Sequence, residues 1–425
     1  MSVMILKGCI CWSLNPDQLE TVENGFLVVE NGLVEGVYRE LPEKFRTLPV
    51  TDYTDKLILP GMTDLHIHAP QFPYRGLGMD LELLAWLEAY AFPEEAKYAD
   101  IEYADRAYEI FTEHLLHSET TRASIFATLH VPATLLLMDK LEKTGLITYV
   151  GKVNMDRNSP EILTESSAQK SAKATEQWIR QVRERGYQRT KPILTPRFTP
   201  SCSDELMYRL RDLQLQYDLP LQSHLSENRG EVAWVKELCP DTSFYGEAYE
   251  QFGLFGGDHP CIMAHCVYSS EEEEELMKKN GVFIAHSPES NMNVASGIAP
   301  ISRYLDHGLK VGLATDVAGG SHESMFRAMQ HALQASKLRW RLVDETIRPL
   351  TFERAFYIAT MGGGEFFGKV GSFMPGYAFD ALVMDDANLK HPQPLTVRER
   401  LERLIYLADR TNLQAKYADG KKILG

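Results

Sequence analysis

Pro60-Gly61-Met62-Thr63-Asp64-Leu65-His66-Ile67-His68-Ala69, directly after the apolar run Leu57-Ile58-Leu59, decides how the chain is read. Successive side chains of a strand point to opposite faces, so His66 and His68 project together and present half of a metal site. Alone, a histidine pair on a strand also fits a packed or solvated surface. The other ligands must come from elsewhere in the chain.

From Pro60 to about Val370, apolar runs of strand length alternate with amphipathic stretches of helix length, the pattern of βα units around a parallel sheet. Eight strands are expected, at residues 57–68, 121–127, 147–153, 192–198, 220–224, 261–265, 282–286 and 309–316. The fold class is α/β: eight units close into a distorted (β/α)8 TIM barrel whose chemistry sits where strands end and loops begin. The flanks are written differently. Asn24-Gly25 and Asn31-Gly32 bracket residues 26–30, and Asp419-Gly420 precedes residues 421–424, which are hairpin signals. The two ends are expected to pair into one small β-sandwich domain, residues 1–59 with 372–425, around a catalytic barrel of residues 60–371.

Three later strands finish in the same kind of chemistry as the first. Residues 220–224 end at His224 with Glu227 in the following loop, residues 261–265 end at His265, and residues 309–316 end at Asp316 before Gly319-Gly320. A histidine at a strand end is commonly a hydrogen-bonded packing residue, and an aspartate there commonly caps the next helix. Together, strands one, five, six and eight all end in groups that bind or serve a metal, which random placement of thirteen histidines does not produce.

Other stretches carry plainer readings. Trp86, Tyr90 and Phe92, in the long segment after the first strand, are read as core packing, with a lid as the alternative. Glu271 to Glu275 follow Ser269-Ser270 and occupy the first turn of a helix, with no further role assigned. Met361-Gly-Gly-Gly364 follows a helical stretch and reads as its stop.

The chain of 425 residues has a net charge of −15, which argues against a nucleic-acid or membrane-surface partner and favours a small neutral or cationic substrate. Six cysteines without framework spacing imply reduced thiols and a cytoplasmic setting. No leader-like start and no apolar run approaching the roughly 18 residues of a membrane span is found.

HxH, HxxE, H and TD in this order resemble the amidohydrolase superfamily from Pro60 to about Gly371. Members with two metals bridge them through a modified lysine ending the fourth strand, where this chain has Thr195-Pro196-Arg197-Phe198. The resemblance therefore implies one divalent ion held by His66, His68, His224 and Asp316, zinc first, with iron accepted by the same donors. Such an ion lowers the pKa of water to near 7. It also implies that Glu227 carries a proton to the ring nitrogen beside the attacked carbon. His265 and Asp316 orient the nucleophile and take its proton, in hydrolysis of a C–N bond.

His68-Ala69-Pro70-Gln71-Phe72, Gly151-Lys152-Val153, Thr195-Pro196-Arg197-Phe198, Ser223-His224-Leu225-Ser226-Glu227-Asn228 and Thr315-Asp316-Val317-Ala318 are similar to the guanine deaminases within that superfamily. Their reaction, guanine plus water giving xanthine and ammonia, implies a purine with C2 at the metal and O6 and N7 on the far side. Arg197 offers that edge a rigid fork of donors, and Phe198 its backbone N–H or ring. The resemblance assigns Gln71 to the purine, with His224, Glu227, His265 and Asp316 completing the expected contacts, and implies a homodimer. A sibling deaminase or chlorohydrolase acting on another purine, a pterin or a triazine remains the alternative, and a retired barrel serving as a scaffold is the third reading. The other zinc deaminase class needs H-x-E followed by P-C-x-x-C, and Pro260-Cys261 is followed instead by Cys266. Relatives carry cysteine after the seventh-strand histidine, where this chain has His286-Ser287.

Overall fold

In the computed structural model, which describes residues 2–425, Gly61 divides residues 57–68, expected as one strand, into two that serve different sheets. Thr51–Pro60 lies between Val3–Asn15 and Ala381–Met384 in a seven-stranded mixed sheet, whereas Met62–His68 opens the barrel. A Cβ at Gly61 would lie 2.3 Å from Thr121 Oγ1, so the crossing point needs glycine.

The barrel strands form two parallel four-stranded sheets. Met62–His68, Thr120–Phe126, Ile147–Gly151 and Thr190–Pro192 make one, and Leu221–Leu225, Cys261–His265, Phe283–His286 and Lys310–Leu313 the other. Two seams join them. At one, Gln222 N donates to Leu194 O at 2.9 Å; at the other, Asp316 N donates to His66 O at 2.9 Å and His68 N to Val317 O at 3.0 Å. Inside, Leu65, Ile193, Ile262, Ala264, Ala285 and Ala314 share one apolar cluster. Burial on both faces, complete along Met62–His68, Thr120–Phe126, Cys261–His265 and Phe283–His286, leaves these strands without the inside–outside alternation of a half-exposed sheet.

The fourth strand, expected over residues 192–198, is broken. Thr190–Pro192 pairs with Ile147–Gly151, and Thr195–Pro196 with Val153–Asn154. Pro192 and Pro196 have no N–H to give a ladder, and the pairing ends with Arg197 N donating to Asn154 O at 3.2 Å, so the Arg197 and Phe198 side chains come to border the cavity at the barrel mouth.

The end sheet runs in the order Lys421–Leu424, Leu413–Ala418, Ala381–Met384, Thr51–Pro60, Val3–Asn15, Gln18–Glu30, Leu33–Tyr38. It is one continuous sheet curled on itself, so Leu6, Leu27, Phe379, Val383 and Tyr417 from both chain ends meet in one core. Asn31-Gly32 and Asp419-Gly420 form the expected turns, but Asn24-Gly25 does not. It sits within Gln18–Glu30, with Asn24 at φ 46°, where the register against Val3–Asn15 slips between Gly8 and Ile10. The positive φ that suits a hairpin serves a bulge equally well.

The glycine triplet is likewise no simple stop. It follows Phe352–Tyr357 through the wide helical turn Ile358–Gly362, and a Cβ on Gly362 would lie 2.7 Å from Val311 O. These glycines let the helix end approach the eighth strand. Glu271–Asn280 starts as expected, with Ser270 Oγ accepting from Glu273 N at 3.3 Å. Among the described residues, no helix is long and apolar enough to cross a membrane.

Candidate active site

The strand ends converge as the alternation rule requires. His66 and His68 leave one face of Met62–His68 with their Nε2 atoms 3.2 Å apart, and His224 Nε2 lies 3.3 Å from that of His68. Asp316 Oδ1 is 3.1 Å from His66 Nε2 and 3.5 Å from His68 Nε2. His265 Nε2 stands 3.5 Å from Glu227 Oε2 and 3.7 Å from Asp316 Oδ2. Backbone strain collects here: His265, Cys266 and Asp316 all have positive φ, at 76°, 49° and 47°, in the region that side chains other than glycine avoid.

The protonation pattern shows what the donors want. His224 Nδ1 donates to Arg197 O at 2.6 Å, which leaves its Nε2 as a bare lone pair aimed at the other imidazoles. Burial, and then the neighbouring imidazoles, hold His68 and His224 well below the ordinary histidine pKa, and burial lowers His66 too. Three neutral imidazoles and a carboxylate with lone pairs about 3 Å apart repel one another unless a cation lies between them, so the donor set fits a divalent metal. His265 is different. Burial would lower it, but Glu227 and Asp316 outweigh that and raise it, while its Nδ1 is held by Asn291 Oδ1 at 2.8 Å.

Beside this cluster lies a cavity lined by His68, Gln71, Arg197, Phe198, His224, Glu227, His265 and Asp316 with Leu83, Trp86, Leu87, Glu231 and Ser290. Every residue singled out from the sequence for metal, proton transfer or ring contact therefore borders one site or, for His66, lies buried directly behind it.

Burial raises the Glu227 carboxyl, and the nearby Glu231 and Asp316 charges add to the rise against the pull of His265. Glu227 Oε1 accepts from Ser296 Oγ at 3.0 Å, and its backbone N–H donates to Glu231 Oε2 at 3.0 Å. Glu231 was within reach of the sequence, since Asn228-x-x-Glu231 is a capping-box pattern and both reciprocal bonds form at the start of Arg229–Leu238. Asp64, inside the opening stretch, accepts from His66 N at 3.2 Å and Thr315 Oγ1 at 2.5 Å, and so ties the first strand to the eighth; burial raises its carboxyl to about 7.

Two expectations need correcting. Trp86 is buried, but it walls the cavity rather than packing only into the core, and Phe92 lies under the Arg197 guanidinium at 5.1 Å. The Glu271–Glu275 run, given no role, contains the buried Glu273, which accepts from Gly246 N at 2.6 Å and from Ser226 Oγ at 2.9 Å and so braces the loop carrying Glu227. Helical spacing could have shown that Glu273 and Met277 share an inward face. Glu95 was missed altogether: it accepts from Arg197 through both terminal nitrogens, with Nη2 at 3.0 Å, and from Gln71 Nε2 at 2.8 Å. Nothing in the Glu94-Glu95 pair marks it in the sequence.

A sequence profile of the amidohydrolase family matches residues 57–423. The chain belongs to the amidohydrolase family. This amidohydrolase is 35% identical to the guanine deaminase of Dictyostelium discoideum over 99% of the chain and 98% of that protein. It is 32% identical to the guanine deaminase of Escherichia coli (strain K12), over 96% of the chain and 94% of that protein. Among solved structures it superposes, with a TM-score of 0.95 and 45% identity over all of both chains, on the guanine deaminase of C. acetobutylicum with guanine bound in its active site.

Proposed function

We propose that this amidohydrolase is a guanine deaminase that hydrolyses the exocyclic C2–N bond of guanine, giving xanthine and ammonia. The observation that carries this reading is the two-walled cavity. One wall is the histidine and aspartate cluster, and the other holds the donors of Arg197 and Gln71, with Phe198 and Trp86 as apolar faces. The names of the relatives matched over nearly the full chain support it.

His66, His68, His224 and Asp316 would hold the metal, with zinc the ion best suited to three imidazoles and a carboxylate. When bound, the ion makes water acidic enough to attack at neutral pH. The remaining work belongs to the side chains. Glu227, its carboxyl raised by burial, carries a proton to the ring nitrogen next to C2. His265 and Asp316, in contact with each other, align the attacking oxygen, and Asp316 passes its proton to the departing amine. Arg197 meets the O6 and N7 edge, Gln71 binds the ring, and Phe198, whose own ring packs on Trp234 at 6.1 Å, covers a face.

The division into a barrel at residues 60–371 and end segments at 1–59 and 372–425 is part of this proposal, as are the cytoplasmic setting and the homodimer that the family resemblance implies. Ammonia release from guanine, adenine, 8-oxoguanine and pterin tests the reading. Guanine should be preferred by a wide margin, and guanine at background with another ring turned over would assign the site to a sibling activity. Metal analysis of the active protein identifies the ion, and light scattering its assembly.

A further inference from the structure

We propose that Glu95 is the positioning residue of the ring pocket: it sets the donor arrangement of Arg197 and Gln71 and cancels the guanidinium charge, so that the pocket favours a neutral ring over an anionic one. This inference rests on the guanine reading and deepens it.

Glu95, Arg197 and Gln71 are 5%, 4% and 2% exposed, so their hydrogen bonds are made almost without competition from water. Arg197 and Gln71 line the cavity, and Glu95 stands behind both. The bidentate pair uses two of the five guanidinium N–H groups and fixes the plane of the other three. Phe92, at 5.1 Å from the guanidinium carbon, closes one face of that plane. Gln71 is fixed the same way. Its Nε2 donates to Glu95 at 2.8 Å and its Oε1 accepts from Ala318 N at 3.3 Å, so its amide cannot flip without losing both, and one amide hydrogen is left for a ligand. A single carboxylate therefore sets the direction of both ring-binding side chains.

Charge adds a second consequence. Guanine is neutral near pH 7, whereas xanthine, with a carbonyl in place of the amine, is the stronger acid and ionises more readily. A buried guanidinium without a counter-ion would attract that anion strongly in a medium of low polarity. Paired with Glu95, it presents hydrogen-bond donors with little net charge. The pocket then binds the neutral substrate by geometry and releases the more acidic product.

Steady-state kinetics and xanthine inhibition on the metal-loaded protein test this. Wild-type protein is assayed first, and if it does not turn over guanine the guanine reading fails, whatever Glu95 does. In E95Q, KM for guanine should rise about tenfold or more while kcat changes by less than about threefold. Metal content should hold, and xanthine should inhibit more strongly, increasingly so as the pH is raised and xanthine ionises. E95D keeps the charge on a shorter arm, so it should raise KM without tightening xanthine. An unchanged KM, or parallel weakening of guanine and xanthine as a merely structural prop would give, overturns the proposal. If E95Q does not fold, the wild type decides. Xanthine inhibition that is flat or weaker toward alkaline pH supports a neutral pocket, and inhibition that tightens there overturns it.

Discussion

Two buried arginine–carboxylate pairs occupy opposite ends of the barrel strands, and they differ in what surrounds them. Arg122, at the start of Thr120–Phe126, gives Nε and Nη2 to Asp380 at 2.8 and 2.9 Å, and Asp380 also accepts from Asp419 N at 2.8 Å. The pair fastens the barrel to the end sheet. Arg197 and Glu95 make the same bidentate contact at the other end, but Arg197 keeps one side open to the cavity. Identical chemistry is structural where it is enclosed and available for binding where one face is left unsatisfied. Breaking each pair should therefore give opposite signatures.

The largest effect is expected at the open end. Glu227→Gln should lower kcat by about 10²–10⁴-fold while leaving metal content and thermal stability near wild type. Loss of metal in that variant would show that Glu227 is a ligand or a prop instead. At the enclosed end, Asp380→Ala leaves Arg122 buried without a counter-ion and should cost about 3–5 kcal/mol of stability in urea unfolding, with kcat of the folded fraction unchanged. A drop in kcat there with stability intact would erase the contrast. Arg197→Ala should reduce kcat/KM for guanine by about 1–3 kcal/mol, a smaller change than Glu227→Gln, with little loss of metal. An unaltered kcat/KM would remove Arg197 from the substrate site.

A pH-dependent effect is expected at Lys416, also at the enclosed end, where Nζ donates to Thr120 O at 2.9 Å. Burial lowers its pKa to about 7 against the pull of Glu119. The unfolded chain, with an ordinary lysine pKa near 10.4, binds a proton that the folded chain has given up, so this group makes stability rise with pH between about 7 and about 10. Lys416→Met should remove that part of the slope, so that the stability of the variant relative to wild type falls as the pH rises from about 7 to about 10. Urea unfolding of both proteins across that window reads the difference, and parallel curves would mean that Lys416 is charged in the folded state.

The proposed metal donors were legible because alternation and strand-end position leave a one-dimensional trace: His66 and His68 share a face by parity, and His224 and Asp316 stand at or just beyond the ends of their strands, as His265 does beside them. Arg197 was legible only through resemblance, and the strand break before it falls at two prolines whose effect on pairing shows only once the neighbouring strands are placed. Glu95 left no trace, since its meaning lies in contacts with Gln71 and Arg197, respectively 24 and 102 residues away. Asn24-Gly25 was misread because one backbone conformation answers to two structures, a turn and a bulge. Periodicity records which way a side chain faces, and it is silent about what meets it across a cavity.

The way the end sheet is assembled constrains how the molecule is born. Thr51–Pro60 waits for its antiparallel neighbour Ala381–Met384, which leaves the ribosome more than 300 residues later, on the order of half a minute at ordinary elongation rates. Throughout that interval an apolar strand edge, Leu57-Ile58-Leu59, hangs unpaired beside a growing barrel. A nascent chain of this design depends on chaperone shelter or on slow, dilute synthesis, and crowded overproduction should drive it into insoluble aggregates before its last fifty residues arrive.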